Sequence, residues 1–231
     1  MADLNYGEIP GKVSAYYKFE NNLLDSSGNG YTLTNNSCTY GAGRIGKYCL
    51  NVPASGYASI ESAIGMTYLS PRTVSFWVKI ASLPPSSGNQ RGVFYFHRCK
   101  GYKVSAQMDF VYNYNGGNYQ LNPRYFTRVF TGVTLNFTMS TSTWYYFTNT
   151  FDGTYLYFYK DGVFVDKSPA QSGIGNIFTT ALTSVAADRG TDIQPGLYEE
   201  FIIDSRAWSS SEIRQYYALT KGRFSPSLGL I

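Results

Sequence analysis

A chain of 231 residues, 43% of them hydrophobic, can bury one sizeable core, and no shift in composition marks a second domain. Charged residues make up only 15%, the net charge is +4, and Lys and Arg form neither a run nor a stripe, which argues against a nucleic-acid-binding protein. The unusual quantity is aromatic content, 17%, with 22 Tyr and 15 Phe against four Met.

Residues 1–12 read as an N-terminal arm. Met1 to Gly11 contains Asp3, Glu8 and Pro10 and has no apolar h-region, so no secretory leader is expected. Ser14 to Phe19 is the first strand, followed by the polar loop Leu24-Asp25-Ser26-Ser27-Gly28-Asn29-Gly30, rich in residues that tolerate positive φ. Short strands are expected at Tyr31 to Asn35, Tyr48 to Val52 and Tyr57 to Ile60. Thr73 to Ile80 alternates well, with Val74, Phe76, Val78 and Ile80 facing inward. After a loop at Pro84 to Asn89, strands are expected at Gly92 to Phe96, Val104 to Tyr112 and Thr131 to Met139.

The clearest signal lies between Trp144 and Lys167. Two aromatic, β-branched runs flank Asp152-Gly153, and a third follows Asp161-Gly162; Asp-Gly between such runs predicts hairpins with type I′ turns. In the middle run Leu156 and Phe158 share one face, and Tyr155, Tyr157 and Tyr159 the other. Only Ser209 to Glu212 looks like a helix start, a capping box with Ile213, Tyr216 and Tyr217 at helical spacing. An irregular tail is expected over residues 218–231. The whole predicts an all-β fold of two packed antiparallel sheets, a β-sandwich, with one late helical turn. Cys38, Cys49 and Cys99 are odd in number and lack metal spacing; Cys38 and Cys49 read as reduced thiols before a bridge. The sequons Asn35-Asn36-Ser37 and Asn136-Phe137-Thr138 read as chance in an Asn/Ser/Thr-rich chain.

Several of these segments, in this order, resemble the laminin-G-like, concanavalin-A-like jelly rolls of the lectin/glucanase superfamily. They are the opening S-A-Y-Y-K-F-E with L-L-D-S-S-G-N-G, Gly43 to Leu50, Thr73 to Lys79, Trp144 to Gly162, Gly196 to Ile203, and Arg206 to Ile213. The resemblance covers roughly residues 13–217, the expected domain, and is weakest over 81–143. It implies a jelly roll and a frequent calcium site built from the Asp25 loop and an acidic pair, here Glu199 and Glu200, with Glu199 where the family usually has Asp.

The chemistry read from the residues leaves three function classes. A retaining glycosidase needs two carboxylates roughly 5–5.5 Å apart. No E-x-D-x-x-E occurs, and the adjacent Glu199 and Glu200 should point to opposite faces of a strand. His97 lacks an evident nucleophile, so no enzyme is expected. Asp25 and Asn29 offer hard oxygen ligands on a Gly-containing loop, which suits Ca²⁺, with Glu199 and Glu200 completing the set; an Asx turn is the competing reading. Aromatic faces stack on pyranose rings while amides and hydroxyls bond their hydroxyls. Tyr112, Tyr114, Asn115, Asn118, Tyr119 and Tyr125, around Gly116-Gly117, look like an exposed binding loop, with Tyr155 and Tyr157 as a second ladder. The expected function is a non-enzymatic, lectin-like module on a virus or phage particle surface, or an extracellular one, contacting glycans or neighbouring virion proteins, with oligomerisation open. A purely structural capsid decoration and a glycan-degrading hydrolase are the alternatives.

Overall fold

The structure, a computed structural model, describes residues 13–62, 64, 70–85, 91–99, 107–126, 130–170, 181–186 and 192–222. The N-terminal arm, the first residues of the strand expected from Val104 and the tail beyond residue 222 lie outside them. Sixteen strands are described: β1 (Ala15–Tyr17), β2 (Thr34–Asn36), β3 (Thr39–Ala42), β4 (Tyr48–Val52), β5 (Tyr57–Glu61), β6 (Arg72–Ile80), β7 (Arg91–Cys99) and β8 (Gln107–Asn115). There follow β9 (Asn118–Phe126), β10 (Phe130–Gly132), β11 (Leu135–Asn136), β12 (Tyr145–Phe151), β13 (Leu156–Lys160), β14 (Val163–Lys167), β15 (Ala181–Val185) and β16 (Gly196–Asp204). A single helix, α1 (Ser210–Lys221), closes the described chain.

The strands form two eight-stranded antiparallel sheets. One runs β14-β13-β12-β6-β16-β4-β3 with β1 also on β16; the other runs β10-β9-β8-β7-β15-β5-β2 with β11 also on β9. The inward faces meet in one aromatic-rich core, in which Val74, Phe76, Val78, Ile80, Phe110, Phe147, Leu156, Phe158 and Phe201 are buried. This bears out the β-sandwich and the inward residues expected for β6 and β13.

The outer face of β6 is not solvated, as simple alternation would have it. Trp77, Tyr146, Tyr159, Ile202, Trp208, Ile213 and Tyr216 form a second apolar cluster, because α1 lies across this face. Its polar members are paired: Thr73 Oγ1 donates to the Arg206 carbonyl at 2.8 Å and accepts from the Trp208 amide at 2.9 Å. The helix begins as its sequence dictates. Ser209 Oγ accepts from the Glu212 amide, and Glu212 Oε2 accepts from the Ser209 amide at 2.7 Å, which satisfies two of the free N–H groups at the helix start. It runs four residues past the 217 boundary, to Lys221.

One inward position breaks the pattern. Asn149 on β12 is fully buried between Val74 and Phe158, its register partners on the neighbouring strands, and neither its Oδ1 nor its Nδ2 has a hydrogen-bond partner. A buried unpaired amide costs about 1–3 kcal/mol. Asn149→Leu is therefore expected to raise stability by about that amount in urea denaturation; a clear loss would contradict it.

Several expectations shift. The strand expected at 31–35 lies at 34–36, the one at 131–139 is broken into β10 and β11, and the Gly116-Gly117 segment is not a loop but a hairpin tip. Gly116 and Gly117 have φ of 57° and 86°, so Asn115 to Asn118 is a two-residue turn with both central residues in the left-handed region, as a type I′ turn requires. Asp161-Gly162 does the same at φ 51° and 77°. Asp152-Gly153 does not. There β12 and β13 are joined by a longer loop in which Asp152 Oδ1 accepts from the Thr154 and Tyr155 amides at 2.7 and 2.8 Å.

Candidate functional site

The β8–β9 hairpin tip forms one wall of an open cleft of about 490 Å³. Tyr114, Gly117, Asn118 and Tyr119 line it from the hairpin, and Asn136, Phe137 and Thr138 from the end of β11 and the residues after it. Register places them together: Tyr114 pairs with Tyr119 across the hairpin, and Asn136 pairs with Gln120 on the other edge of β9. The Phe137 amide donates to the Tyr119 carbonyl at 2.9 Å, fixing the second wall against the first. The Tyr114 and Tyr119 rings meet edge to face with centroids 5.0 Å apart, and both are half-buried. Phe137 packs edge-on against Tyr145 at 5.6 Å.

Of the sequence-predicted ligand residues, Tyr114, Asn118 and Tyr119 converge on this cleft. Tyr112 and Tyr125 do not. Both lie on the same inward face as Tyr114 and Tyr119 but further from the tip, under the opposite sheet, where Tyr112 Oη accepts from the Met139 amide at 2.9 Å and Tyr125 stacks on Phe151 at 4.1 Å. Burial pushes the Tyr112 phenol up to about 12, against the pull of that amide. Tyr155 and Tyr157 lie apart from the cleft, on the outer face of β13 and the loop before it. They form a half-buried pair 6.2 Å apart, with Lys167 Nζ 4.4 Å from the Tyr155 ring centroid and the Tyr157 hydroxyl on Asp152 at 3.0 Å. Asn136, Phe137 and Thr138 are the cleft residues that sequence reasoning set aside. The signal was the second sequon itself, an aromatic between two short polar residues, read as chance.

The four expected metal ligands are held by the protein itself. Asp25 Oδ1 accepts from the Tyr16 and Ser27 amides at 3.0 and 2.9 Å, and Oδ2 accepts from the Ser27 hydroxyl and Tyr31 amide at 2.8 and 3.1 Å. Burial works to raise its pKa, but these donors outweigh it and hold the carboxyl below the usual range. Asn29 turns its Nδ2 toward the Val13 and Ser14 carbonyls at 3.1 and 3.0 Å, pinning the loop to β1.

The acidic pair corrects a geometric expectation. Between Tyr198 and Phe201, both in the main core, β16 carries a bulge at which Glu200 has φ 53°. The extra residue puts Glu199 and Glu200 on the same outer face rather than on opposite ones. Both are buried and occupied. Glu199 takes the Arg44 and Ile45 amides on its two oxygens at 2.9–3.3 Å, and Glu200 Oε2 takes the hydroxyls of Tyr16 and Tyr216. A Cβ on Gly43 would collide with the Glu199 carboxylate, which explains a glycine there. Burial pushes Glu199 up to about 8 against the pull of the Arg44 and Ile45 amides.

Among the described residues no three His, Cys, Asp or Glu side chains gather as a metal site. Asp25, Glu199 and Glu200 Oε2 all accept from N–H or O–H donors within the protein, a pattern that argues against a calcium ion on the four expected ligands. Chelator is therefore expected to leave the melting temperature unchanged, whereas stripping a metal bound only by the folded state would lower it. A drop of several degrees in chelator would contradict this. Cys38 and Cys49 are free and buried, and burial pushes both thiols up to about 12. His97 lies on β7 at a position whose side chain is outside the described residues. No helix among the described residues is long and apolar enough to cross a membrane.

Known proteins place this architecture. No curated protein sequence matches the chain. Among solved structures, domain 4 of AbnA, a GH43 extracellular arabinanase from Geobacillus stearothermophilus solved with arabinotriose, superposes at TM-score 0.69. It shares 20% identity, over 89% of this chain and 98% of that one. The binding domain of Paraclostridial Mosquitocidal Protein 1 gives TM-score 0.69 at 16% identity, over 91% and 52%. The receptor binding domain of botulinum neurotoxin D gives 0.67 at 16%, over 91% and 53%. The chain thus spans about half the length of the toxin domains. At these identities the likeness is one of fold. Residues 53–214 match the sequence family described as the concanavalin A-like lectin/glucanases superfamily, and with the two-sheet sandwich on which that match falls, the chain belongs to this superfamily.

Proposed function

We propose that the protein is a non-catalytic carbohydrate-binding module whose ligand sits in the cleft between the β8–β9 tip and residues 136–138. The observation that carries this reading is the lining: three aromatic rings beside two amides and a hydroxyl, in an open cleft of about 490 Å³. The aromatic faces stack on the C–H faces of a sugar ring, and the amides and hydroxyls bond its hydroxyls. The fold-level neighbours support it, since one was solved in complex with arabinotriose and the others are toxin binding domains. The occupied state of Glu199 and Glu200 supports a non-catalytic role, because both carboxylates are tied up in structural hydrogen bonds.

Tyr119→Ala and Phe137→Ala are each expected to weaken glycan binding by more than about 1 kcal/mol, as for aromatic anchors. Tyr119 also packs on Tyr112 at 5.8 Å, so its loss should cost stability as well, on the order of 1 kcal/mol. Titration of folded variants against the glycan selected on an array checks this; unchanged affinity in both variants would contradict it. Reducing-sugar release lost on Glu200→Gln would restore the hydrolase reading.

A second reading, contact with a neighbouring particle subunit, is favoured by the edge strand β14, where Val163, Phe164 and Val165 are all exposed. The virus or phage setting remains part of this proposal, and co-sedimentation of the protein with particles tests it.

A further inference from the structure

None of the residues lining the cleft carries an ionisable acid or a cation at neutral pH; its polar groups are two phenols, two amides and one aliphatic hydroxyl. A cation does approach one wall. Lys160 Nζ lies 5.3 Å from the Phe137 ring centroid, but it is already held 2.8 Å from the Asp161 carboxylate. The amides are half engaged. Asn118 Nδ2 donates to the Gly116 carbonyl at 3.4 Å, and Asn136 Oδ1 accepts from Gln120 Nε2 at 3.2 Å. That leaves Asn118 its carbonyl acceptor and one N–H, and Asn136 two donors, beside hydroxyls on Tyr114, Tyr119 and Thr138 that both give and take.

From this balance, and resting on the carbohydrate reading above, we infer that the cleft selects uncharged saccharides and discriminates against uronic, sialylated and sulfated ones. A vicinal diol both donates and accepts, so it satisfies the free acceptor and the free donors together. A carboxylate or sulfate only accepts. Placed here it gives up part of its hydration, meets among the described residues no cation other than Lys160, which Asp161 already pairs, and leaves the Asn118 carbonyl facing another acceptor.

The test is an array on which each neutral oligosaccharide is matched by its uronic, sialylated or sulfated counterpart, with calorimetry of the best pairs at low and high salt. Wild-type protein should bind the neutral member at least about tenfold more tightly, with an affinity insensitive to salt because no ion pair is screened. Tyr119→Ala with Phe137→Ala should remove binding to the neutral member. Preference for the acidic member, affinity falling with salt, or neutral selectivity persisting in that double variant would overturn the inference. The first two outcomes would leave the carbohydrate reading standing. Absence of binding to either member across the array would sink both.

Discussion

Phe76→Ala should destabilise the protein by about 3–5 kcal/mol, the cost of truncating an aromatic in a core that cannot collapse around the gap. Phe76 sits at the middle of β6, fully buried, and touches rings from both sheets. Its centroid lies 5.3 Å from Phe94 and 6.0 Å from Phe110 across the sandwich, and 6.1 Å from Phe147 and 5.7 Å from Phe201 within its own sheet. Removing it withdraws packing partners from four aromatic side chains at once, each contact contributing beyond its buried area. A loss of this size is comparable to much of the total stability of an ordinary domain. Urea denaturation measures it; a loss below about 1 kcal/mol would mean the two sheets do not meet at this ring.

The second large effect is on pH dependence. Burial raises Glu199 from its ordinary 4.5 to about 8, so over that interval the folded protein holds a proton that the unfolded chain releases. This contribution to stability is full below pH about 4.5 and is lost as pH rises through about 8, on the order of a few kcal/mol in all. Glu20, raised by burial beside the same Gly43–Tyr48 turn, adds slope in the same direction. Asp25, Asp152 and Glu212 act oppositely. Burial would raise each, but their hydrogen bonds hold them low, so their contribution is lost as pH falls through the carboxylate range. Melting temperature should therefore peak on the mildly acidic side and decline toward about pH 9. In Glu199→Gln, which cannot ionise, most of the alkaline decline should disappear even if the variant is less stable at its optimum. A decline of equal steepness in that variant would show that Glu199 is not its source.

Much of the fold was legible because its signals are local. Alternation on β6 and β13 identified Val74, Phe76, Leu156 and Phe158 as core, and the Ser209/Glu212 box started the helix where it is found. What alternation could not reveal is what covers the far face of a strand. Trp77 and Tyr159 stand on outward faces by alternation, yet both are buried in the cluster that α1 covers. The strand β9 was hidden by its own composition, with Pro123 and several amides in nine residues. Pro123 is tolerated because, although it pairs with Phe110 on β8, its carbonyl faces Val133 on the other edge at 3.0 Å, so the missing N–H faces the gap between β10 and β11.

The candidate site was half visible. Gly116-Gly117 marked the tip, and Tyr114, Asn118 and Tyr119 followed from it. Reading the tip as a loop rather than a tight turn, however, gave Tyr112 and Tyr125 the same exposure, when pairing in register buries them. The second wall came from residues 136–138, distant in sequence and joined to the first only through β11 pairing. The Glu199–Glu200 pair was misjudged for a related reason: a bulge adds a residue that alternation does not count.

Mapping backbone amide shifts during titration with a neutral oligosaccharide that binds would locate the ligand on the protein surface. Saturable shifts are expected to concentrate at residues 114–119 and 136–138 and to be absent in Tyr119→Ala. Shifts centred instead on Tyr155, Tyr157 and Phe164, with the cleft unmoved, would contradict binding in the cleft.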